Sequence, residues 1–227
     1  MTMKTLPHNV GGFLHKLGNV CDLKYRTTSA IITYVTKQWQ KSRGEQMARK
    51  ESITKTMLLE AAFDMVKDEG IENLTARKLA AKAGCSTQPI FRTYKNMDEV
   101  TEEVFEKAMS YYNNYYKDYK KGSGVPFVDL GMAYIAFAQN EKNLFKLLFV
   151  SEQRFGHSLY EILNGELQFV GHEINKAKNS GCKNPSGLFM QMWIFIHGAA
   201  CMSLTGDYDL GESETKDLLA QSYKAFI

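Results

Sequence analysis

The sequence predicts an all-α protein, and two observations carry that prediction. From Ile53 onward, apolar residues recur at helical spacing, and no stretch has the convincing apolar–polar alternation of a strand. The composition is 44% hydrophobic over 227 residues, which is enough apolar material for a packed core and excludes wholesale disorder. A chain of this length holds one large domain or two small ones.

The periodic segments predict helices separated by short breaks. The first begins near Ile53, where Ser52 offers an N-cap oxygen, and ends near Gly70, which tolerates positive φ. Pro126 stands at an allowed first-turn position of the helix that follows the break at residues 122–124. The helices expected after the first cover residues 75–83, 86–94, 98–120, 127–139, 141–150, 158–178, 185–205 and 213–226.

The four cysteines, Cys21, Cys85, Cys182 and Cys201, lie far apart in the sequence. They form no C-x-x-C pair, and no histidine stands at zinc-ligand spacing from them. We therefore expect no disulfide framework, no structural zinc site and no cofactor. Reduced thiols are typical of a cytoplasmic protein.

The net charge of +3 is unevenly distributed along the chain. Residues 1–46 have seven basic and two acidic side chains, and residues 74–97 have five basic and no acidic ones. The remaining residues therefore have an excess of acidic side chains. A small basic segment on an acidic body indicates localised contact with a polyanion.

Residues 1–46 are interpreted as a basic N-terminal extension. The helical pattern begins only after Met47, and Arg43, Gly44 and Glu45 would be encoded by purine-rich codons like those of a bacterial ribosome-binding site. We expect this extension to be disordered or to be a translated leader before a natural start at Met47. The alternative is a basic arm that helps to bind DNA.

Residues 188–204 are the strongest membrane candidate, because they contain no charged side chain. The segment is shorter than the roughly 20 apolar residues that span a bilayer, and it contains the polar Gln191, His197 and Ser203. We expect a buried core or interface helix and no membrane contact. Charged residues also interrupt the N-terminal segment, which therefore does not have the apolar core of a signal peptide.

Residues 74–94 have the pattern of a helix-turn-helix. Gly84 tolerates the positive φ of a sharp turn, and Ala80 lets the two helices cross closely. Ser86 is a candidate N-cap of the second helix, and Pro89 is acceptable in its first turn. The spacing predicts that Leu79, Ala83, Ile90 and Tyr94 are buried and that Thr87, Gln88, Arg92 and Lys95 face outward.

At these residues the chain resembles the TetR family of bacterial transcriptional regulators. The resemblance implies a three-helix DNA-binding head over residues 47–97 and a larger helical ligand-binding and dimerisation domain over residues 98–227. The similar features are Glu60-Ala61-Ala62, Gly70, the Leu-Thr-x-Arg-Lys-Leu-Ala run from Leu74 to Ala80, Ala83-Gly84, Tyr94-Lys95-Asn96 and, as in one branch of the family, Trp193 with His197-Gly198.

Two positions depart from the family pattern. Phe91 stands where the family commonly has tyrosine, and it has no hydroxyl for a phosphate bond. Met97 stands where the family commonly has lysine. Either some affinity for the DNA backbone is missing, or Arg92 and Lys95 replace it. Thr93 occupies the usual position of a histidine or tyrosine phosphate contact, with a shorter reach.

The DNA contacts that this reading predicts are of two kinds. Phosphate contacts set register and salt dependence, and they are expected from Thr75, Arg77, Thr93 and Lys95. Base contacts in the major groove are expected from Gln88 to adenine and from Thr87 to a thymine methyl, while Arg92 reaches guanine or a phosphate. The full predicted set is Thr75, Arg77, Ser86, Thr87, Gln88, Arg92, Thr93 and Lys95.

The resemblance also implies a homodimer on double-stranded palindromic DNA. A single recognition helix reads few base pairs, so a two-fold pair of heads on half-sites one turn apart is expected. The last two helices are the expected dimer surface, with Gly198, Ala199 and Ala200 allowing close approach. The alternative is that the 185–205 helix only fills its own core.

A small-molecule effector is the third partner that the resemblance implies. The middle helices are rich in aromatic residues, each of which is either a core residue or a pocket residue. His197 is either a ligand contact or a structural histidine. The ligand-binding candidates are Tyr111, Tyr115, Tyr134, Phe137, Phe149, Trp193 and His197.

Two other function classes compete with a regulator. The sequence has no nucleophile elbow, no phosphate-binding glycine loop and no H-E-x-x-H motif, and the adjacent His172 and Glu173 point apart on a helix, so we expect no enzyme. The other class is a helical protein-interaction adaptor whose basic helix pair binds an acidic partner. Repression, rather than activation, is the expectation that the resemblance brings.

Overall fold

The computed structural model describes residues 36–38, 53–152, 155 and 168–227. The chain divides into two units after Ser52. In the described part of the second unit every regular element is helical, which confirms the all-α prediction. Residues 36–38 of the first unit are helical with exposed side chains, and the rest of the predicted N-terminal extension lies outside the described residues.

The N-terminal head of the second unit begins with helix α1 (Lys55–Glu69). Its N-cap is Thr54, whose Oγ1 accepts a hydrogen bond from the backbone N of Met57 at 3.2 Å. The predicted cap at Ser52 is therefore wrong. Gly70 ends the helix with a positive φ of 90°, as predicted. A 3₁₀ turn (Ile71–Asn73) leads into α2 (Ala76–Lys82) and α3 (Gln88–Thr93).

A tight turn joins α2 to α3. Gly84 has a φ of 65°, which confirms the predicted left-handed turn residue. The backbone N of Cys85 donates to the carbonyl of Ala80 at 2.9 Å, and Ala80 is buried at this close approach. The predicted cap at Ser86 is wrong, because the N-cap position of α3 is Thr87 and no side chain caps it. Pro89 lies in the first turn of α3, as predicted.

The long helix α4 (Met97–Asp118) follows and connects the head to the larger helical body. Asn96 is its N-cap, with Oδ1 accepting from the backbone N of Glu99 at 3.0 Å. The sequence pattern predicts an apolar side of α4 that is formed by Val100, Val104, Ala108, Tyr111, Tyr115 and Tyr119. The first three of these residues are buried, but the last three are only half-buried. The buried row keeps its step of four through Tyr112 and Tyr116 and so winds around the helix, and the predicted step of three from Ala108 to Tyr111 does not occur.

Helix α5 (Val128–Asn140) begins after a buried turn rather than at Pro126. Phe127, before the helix, has a φ of 63°, and its backbone N donates to the buried Glu173 carboxylate at 2.6 Å. Pro126 therefore precedes the helix, and its predicted first-turn position is wrong. The carboxylate of Asp129 accepts from the backbone N of Ser123 at 2.9 Å and closes the same loop.

The last helices complete the body. Helix α6 (Lys142–Phe145) continues as a π-helical stretch (Lys146–Val150). The part of the predicted 158–178 helix before residue 168 lies outside the described residues. The predicted bounds of the 185–205 helix agree with the structure, and those of the last helix agree to within one residue. The remaining helices are α7 (Gln168–Asn179), α8 (Pro185–Thr205) and α9 (Glu212–Phe226).

Helix α8 is the one described helix that is long and apolar enough to cross a membrane. One side of it packs into the core, chiefly against α5, through Leu188, Met192, Trp193, Ile196 and Ala200. About 44% of its most apolar window is buried within the protein. This packing is that of a core helix that keeps one exposed side.

Gly131 of α5 lies at a close approach to the last two helices. A Cβ atom there would lie 2.8 Å from Leu219 Cδ1 and 3.0 Å from Ile196 Cδ1. We expect Gly131→Ala to lower the free energy of unfolding by about 1–3 kcal/mol in chemical denaturation, because the core has no room for the added methyl.

Gly171→Ala on α7 is the matched control, because a Cβ there would meet no atom within 4 Å in the described part of the chain. It should raise the free energy of unfolding by about 0.5–1 kcal/mol, the usual gain of Gly→Ala within a helix. Equal stability of the two variants would contradict the close packing of α5.

Candidate nucleic-acid interface

Three buried side chains fix the orientation of α3. Leu79, Ile90 and Tyr94 are each at most 1% exposed, as predicted, whereas Ala83 is only half-buried. The Tyr94 hydroxyl donates to the carboxylate of Glu103 on α4 at 3.1 Å. Burial, followed by this hydrogen bond, raises the pKa of Tyr94, so the phenol remains a protonated donor. The apolar side of α3 is therefore tied to both α2 and α4.

The other side of α3 is turned to solvent. Gln88 and Arg92 on the helix and Lys95 just after it are exposed, and Thr87 is half-buried at the N-terminal end. The predicted outward direction of Gln88, Arg92 and Lys95 is thereby confirmed. These side chains form one polar surface at the outer side of the helix-turn-helix.

The basic segment of residues 74–97 is partly neutralised by α1. Lys78 Nζ lies 2.6 Å from Asn73 Oδ1 and 3.5 Å from Glu69 Oε2, and Lys82 Nζ lies 3.5 Å from Asp68 Oδ2. These pairs are exposed, so each contributes little to stability. Three basic side chains of the segment make no ion pair with any described residue: Arg77, Arg92 and Lys95.

The three hydroxyl side chains that were predicted to contact DNA make different hydrogen bonds within the protein. Thr75 is exposed and is the N-cap of α2, where its Oγ1 accepts from the backbone N of Lys78 at 3.4 Å. The Thr75 hydroxyl donates no hydrogen bond to any described residue. Ser86 is exposed in the turn. Thr93 is half-buried, and its hydroxyl donates to the carbonyl of Pro89 at 3.0 Å, so a phosphate bond would require a change of rotamer.

Phe91 is an exposed aromatic residue on α3, with 52% of its surface accessible. From the sequence, Phe91 was interpreted only as a residue that lacks the hydroxyl for a phosphate bond. Its spacing of three residues from Gln88 and four from Thr87 already places it on the outward side of a helix, and that signal was not used.

The seven predicted ligand residues form a surface pair and a buried group that meet at Phe137, whose ring centroid is 5.1 Å from that of Tyr115 and 6.4 Å from that of Tyr111. Tyr111 and Tyr115 line a surface groove of about 420 Å³ along α4, together with Asn114, Asp118, Tyr119 and Lys120. The Tyr115 hydroxyl also accepts a hydrogen bond from Asn140 Nδ2 at 3.0 Å. The groove has an aromatic wall with hydrogen-bonding groups at its edge.

The other predicted ligand residues lie in a closed aromatic core. Tyr134, Phe137, Phe149 and Trp193 are at most 5% exposed. The ring centroids of Tyr134 and Trp193 are 4.7 Å apart, and those of Tyr134 and Phe149 are 4.9 Å apart. His197 is half-buried, and its Nδ1 lies 3.0 Å from the Tyr134 hydroxyl, which agrees with the structural-histidine alternative.

Tyr112 lies in the same core and was missed by the sequence analysis. Its ring contacts Phe137, Phe149 and Tyr134, with centroids 4.8, 5.1 and 6.2 Å away. Its hydroxyl is buried and has no hydrogen-bond partner among the described residues. Burial strongly raises the pKa of this phenol. An unsatisfied buried hydroxyl is a destabilising feature of an otherwise apolar cluster.

A polar cluster joins the head to the body. Lys67 Nζ on α1 donates to the Tyr111 hydroxyl on α4 at 2.8 Å and lies 2.9 Å from Glu141 Oε1. The Tyr111 hydroxyl donates to the same Glu141 oxygen at 2.6 Å. Asn143 Nδ2 donates to the carbonyl of Lys67 at 2.9 Å. Tyr111 therefore takes part in both the α4 groove and the contact between head and body, here called the Lys67 junction.

The Lys67 junction is stable at neutral pH. The hydrogen bond to Tyr111, followed by the hydrogen bond to Glu141, raises the pKa of Lys67 despite partial burial. Burial and the bond to Glu141 raise the pKa of Tyr111. Because both folded-state pKa values are raised, the stabilisation is present below the unfolded values, near 10 to 10.5, and is lost as the pH rises further.

The outer side of α8 is apolar and exposed. Ile194 is 66% exposed, Met202 47% and Met190 41%. A groove of about 590 Å³ runs beside Ile194 and Met202, with Gly198 in its wall and Leu218 of α9 on its far side. This surface is formed by α8 and α9, the helices expected to pair two copies.

The described residues contain no cluster of three or more His, Cys, Asp or Glu side chains that could hold a metal ion. Cys85, Cys182 and Cys201 are free thiols. The features that stand out in the described part of the chain are therefore the exposed side of α3, the α4 groove and the outer side of α8.

A short helix that follows a glycine turn and buries one of its sides is typical of the helix-turn-helix motif of DNA-binding proteins. Residues 58–104 match the family model described as bacterial regulatory proteins, tetR family. A search of curated protein sequences finds no match. Residues 58–104 therefore match the N-terminal domain of that family, which confirms the resemblance seen in the sequence.

Solved structures with the same fold include several regulators. A putative transcriptional regulator of the TetR family from Vibrio parahaemolyticus is 17% identical, with a TM-score of 0.56 over 75% of this chain and 97% of that one. A putative TetR-family regulator from Mesorhizobium loti is 19% identical, with a TM-score of 0.54 over 75% and 93%. One from Rhodococcus sp. is 16% identical, with a TM-score of 0.54 over 75% and 97%. These similarities show that the chain shares the fold of these proteins.

The Lys67 junction gives a prediction about stability and pH. We expect Tyr111→Phe to lower the free energy of unfolding by about 1 kcal/mol at neutral pH, because it removes a hydrogen bond to a charged pair. The difference from wild type should shrink as the pH rises above about 10, because Tyr111 then loses its proton in the unfolded chain before it does so in the folded protein. Urea denaturation across pH measures both effects.

Tyr115→Phe is the matched control, since it removes a phenol hydroxyl one turn away whose bond to Asn140 is exposed. Tyr115→Phe should lower the free energy of unfolding by no more than about half as much as Tyr111→Phe does. Equal losses for the two variants would contradict the proposed strength of the junction.

Proposed function

We propose that this protein is a sequence-specific transcriptional regulator that binds a palindromic operator as a homodimer and responds to a small-molecule effector. The observation that carries the proposal is the outer side of the helix-turn-helix. Gln88, Arg92 and Lys95 are exposed there, and Arg77, Arg92 and Lys95 have no acidic partner among the described residues. Such a surface suits the negative backbone and the base edges of DNA.

The proposed contacts divide into positioning and base reading. Arg77 and Lys95 bind phosphates and supply most of the salt dependence, with Thr75 and Thr93 as hydroxyl contacts to the same backbone. Gln88 pairs with adenine, and Thr87 contacts a neighbouring thymine methyl. Arg92 reaches a guanine or a phosphate. Ser86 lies in the exposed turn beside the backbone.

Pairing of two copies through α8 and α9 is the proposed source of two-fold symmetry. The exposed apolar side chains of α8 and the groove beside them are the kind of surface that obligate dimers bury. Gly198, where an added Cβ would meet no atom of the described residues within 4 Å, leaves room for a partner helix. Two heads joined this way reach half-sites one helical turn apart.

The effector is proposed to act through α4. The ligand candidates Tyr111 and Tyr115 lie on this helix, while Tyr134, Phe137, Phe149, Trp193 and His197 form the core behind it. A ligand that shifts α4 would change the spacing of the two heads, because α4 is bonded to the head at Glu103 and at the Lys67 junction. Ligand and operator would then oppose each other by linkage.

The remaining parts of the proposal follow from the same reading. Residues 47–97 are the DNA-binding domain, and residues 98–227 are the ligand-binding and dimerisation domain, with the boundary at the first turn of α4. The regulator is a cytoplasmic repressor without enzymatic activity or a cofactor. Residues 1–46 are a basic extension, and the DNA-binding assays described next also test whether it contributes to DNA binding.

Two substitutions test the division of contacts. We expect Gln88→Ala to lose roughly 1–3 kcal/mol of discrimination at one base pair. We expect Arg77→Ala to weaken all sequences about equally and to lower the slope of log Kd against log salt by about one. Gel shifts on selected and random duplexes across a salt series measure both quantities.

Lys82→Ala is the control for charge, because Lys82 is already paired with Asp68. It should change the salt slope less than Arg77→Ala does. Equal losses on selected and random DNA for both Gln88→Ala and Arg77→Ala would contradict the assignment. Absence of any salt-dependent DNA binding would favour the protein-interaction adaptor.

Ile194→Glu tests the dimer surface. A charge on this exposed residue should leave the monomer folded but separate the two copies, since the carboxylate would be buried without a partner at the interface. We expect light scattering to give half the wild-type mass. Val150→Glu, at another exposed apolar side chain, should leave the mass unchanged. A wild-type monomer, or an Ile194→Glu dimer, would contradict the proposal.

A further inference from the structure

The exposed ring of Phe91 is not accounted for by the packing of the protein. Its 52% exposure contrasts with the full burial of its neighbour Ile90. Among the described residues it makes no ring contact, and it is not packed against the hydrophobic core. An isolated exposed apolar side chain is common in proteins, so exposure alone does not assign a role. Its position does.

Phe91 lies in the middle of the surface proposed to face DNA. It is one helical turn after Thr87 and Gln88, and Arg92 and Lys95 follow it. The cations Arg92 and Lys95 have no acidic partner among the described residues. A partner of this surface must therefore be anionic around the ring and apolar at the ring. The exposed apolar residues of α8 have no comparable basic surround in their groove.

The major groove of DNA meets both requirements at one kind of base. Phosphates supply the anionic walls, and the base edges on the floor are polar except for the 5-methyl group of thymine. A phenyl ring that enters the groove with Gln88 has this methyl as its apolar partner on the base edges. Phe91 has no hydroxyl to bond a phosphate, so contact with the groove wall would leave the ring without a matching group.

We propose that Phe91 is a specificity-determining residue that packs on a thymine methyl in each half-site. This inference rests on the proposed DNA-binding function. Neighbouring side chains one turn apart are about 5–6 Å apart at Cβ, and successive base pairs are about 3.4 Å apart along the duplex. The thymine therefore lies within about two base pairs of the adenine that Gln88 reads.

The test compares thymine with uracil, which differs only by the missing methyl. The duplex is first recovered from a random pool with the full-length protein, and each thymine is then replaced by uracil in both half-sites. For wild type, a symmetric position other than the thymine assigned to Thr87 should lose about fourfold in affinity per half-site, the value expected for burying one methyl, and about fifteenfold for both. Phe91→Ala should bind the thymine and uracil duplexes equally at that position.

Two controls isolate the ring. Phe91→Leu keeps an apolar side chain and should retain part of the preference for thymine. Val150→Ala removes an apolar side chain that is 46% exposed and lies outside the head, and it should keep the full wild-type preference. Because Phe91 is exposed, the melting temperature of Phe91→Ala should match that of wild type, which confirms that the variant is folded.

The outcomes separate this inference from the proposed function. Failure to recover any duplex would overturn both. Recovery of a duplex for which wild type is indifferent to uracil at every thymine, or for which every uracil effect of wild type persists in Phe91→Ala, would overturn the role of Phe91 and leave DNA binding intact. Loss of the effect only in Phe91→Ala supports the contact.

Discussion

The burial of Ile90 and Tyr94 in the hydrophobic core is the contact on which the proposed DNA-facing surface depends. Helix α3 has only six residues, too few to be stable by itself in water. Its form and direction are therefore set by the two buried side chains, by the glycine turn before it and by the bond from Tyr94 to Glu103. Once that side is fixed inward, Gln88, Phe91 and Arg92 have no direction left except outward.

The same contacts make the head move with α4. Glu103 of α4 receives both the Tyr94 hydroxyl and an ion pair from Lys55, and Lys107 of α4 pairs with Glu60 of α1 at 2.6 Å. The Lys67 junction adds a third, less exposed connection at the other end of α1. A displacement of α4 is therefore transmitted to the head through several bonds. This is the physical basis for proposing that a ligand beside α4 controls DNA binding.

The sequence was sufficient for features that depend on local chemistry. The positive φ of Gly84, the buried spacing of Leu79, Ile90 and Tyr94 and the bounds of α8 all follow from residue type and period. Features that join distant segments were not predicted, because no local pattern connects Lys67 to Glu141 or Phe127 to Glu173. The buried row of α4 keeps its step of four, which places Tyr112 inside the aromatic core, whereas Tyr111 and Tyr115 lie at its edge in the α4 groove.

The central claim is that α3 reads bases from the major groove, and atom-specific base substitution tests it most directly. Replacing adenine by 7-deazaadenine removes a ring nitrogen that faces only the major groove, and replacing guanine by inosine removes an amino group that faces only the minor groove. We expect the first change to raise Kd at a symmetric pair of positions in the bound duplex and the second to leave Kd unchanged. Sensitivity to inosine with indifference to 7-deazaadenine would contradict the account.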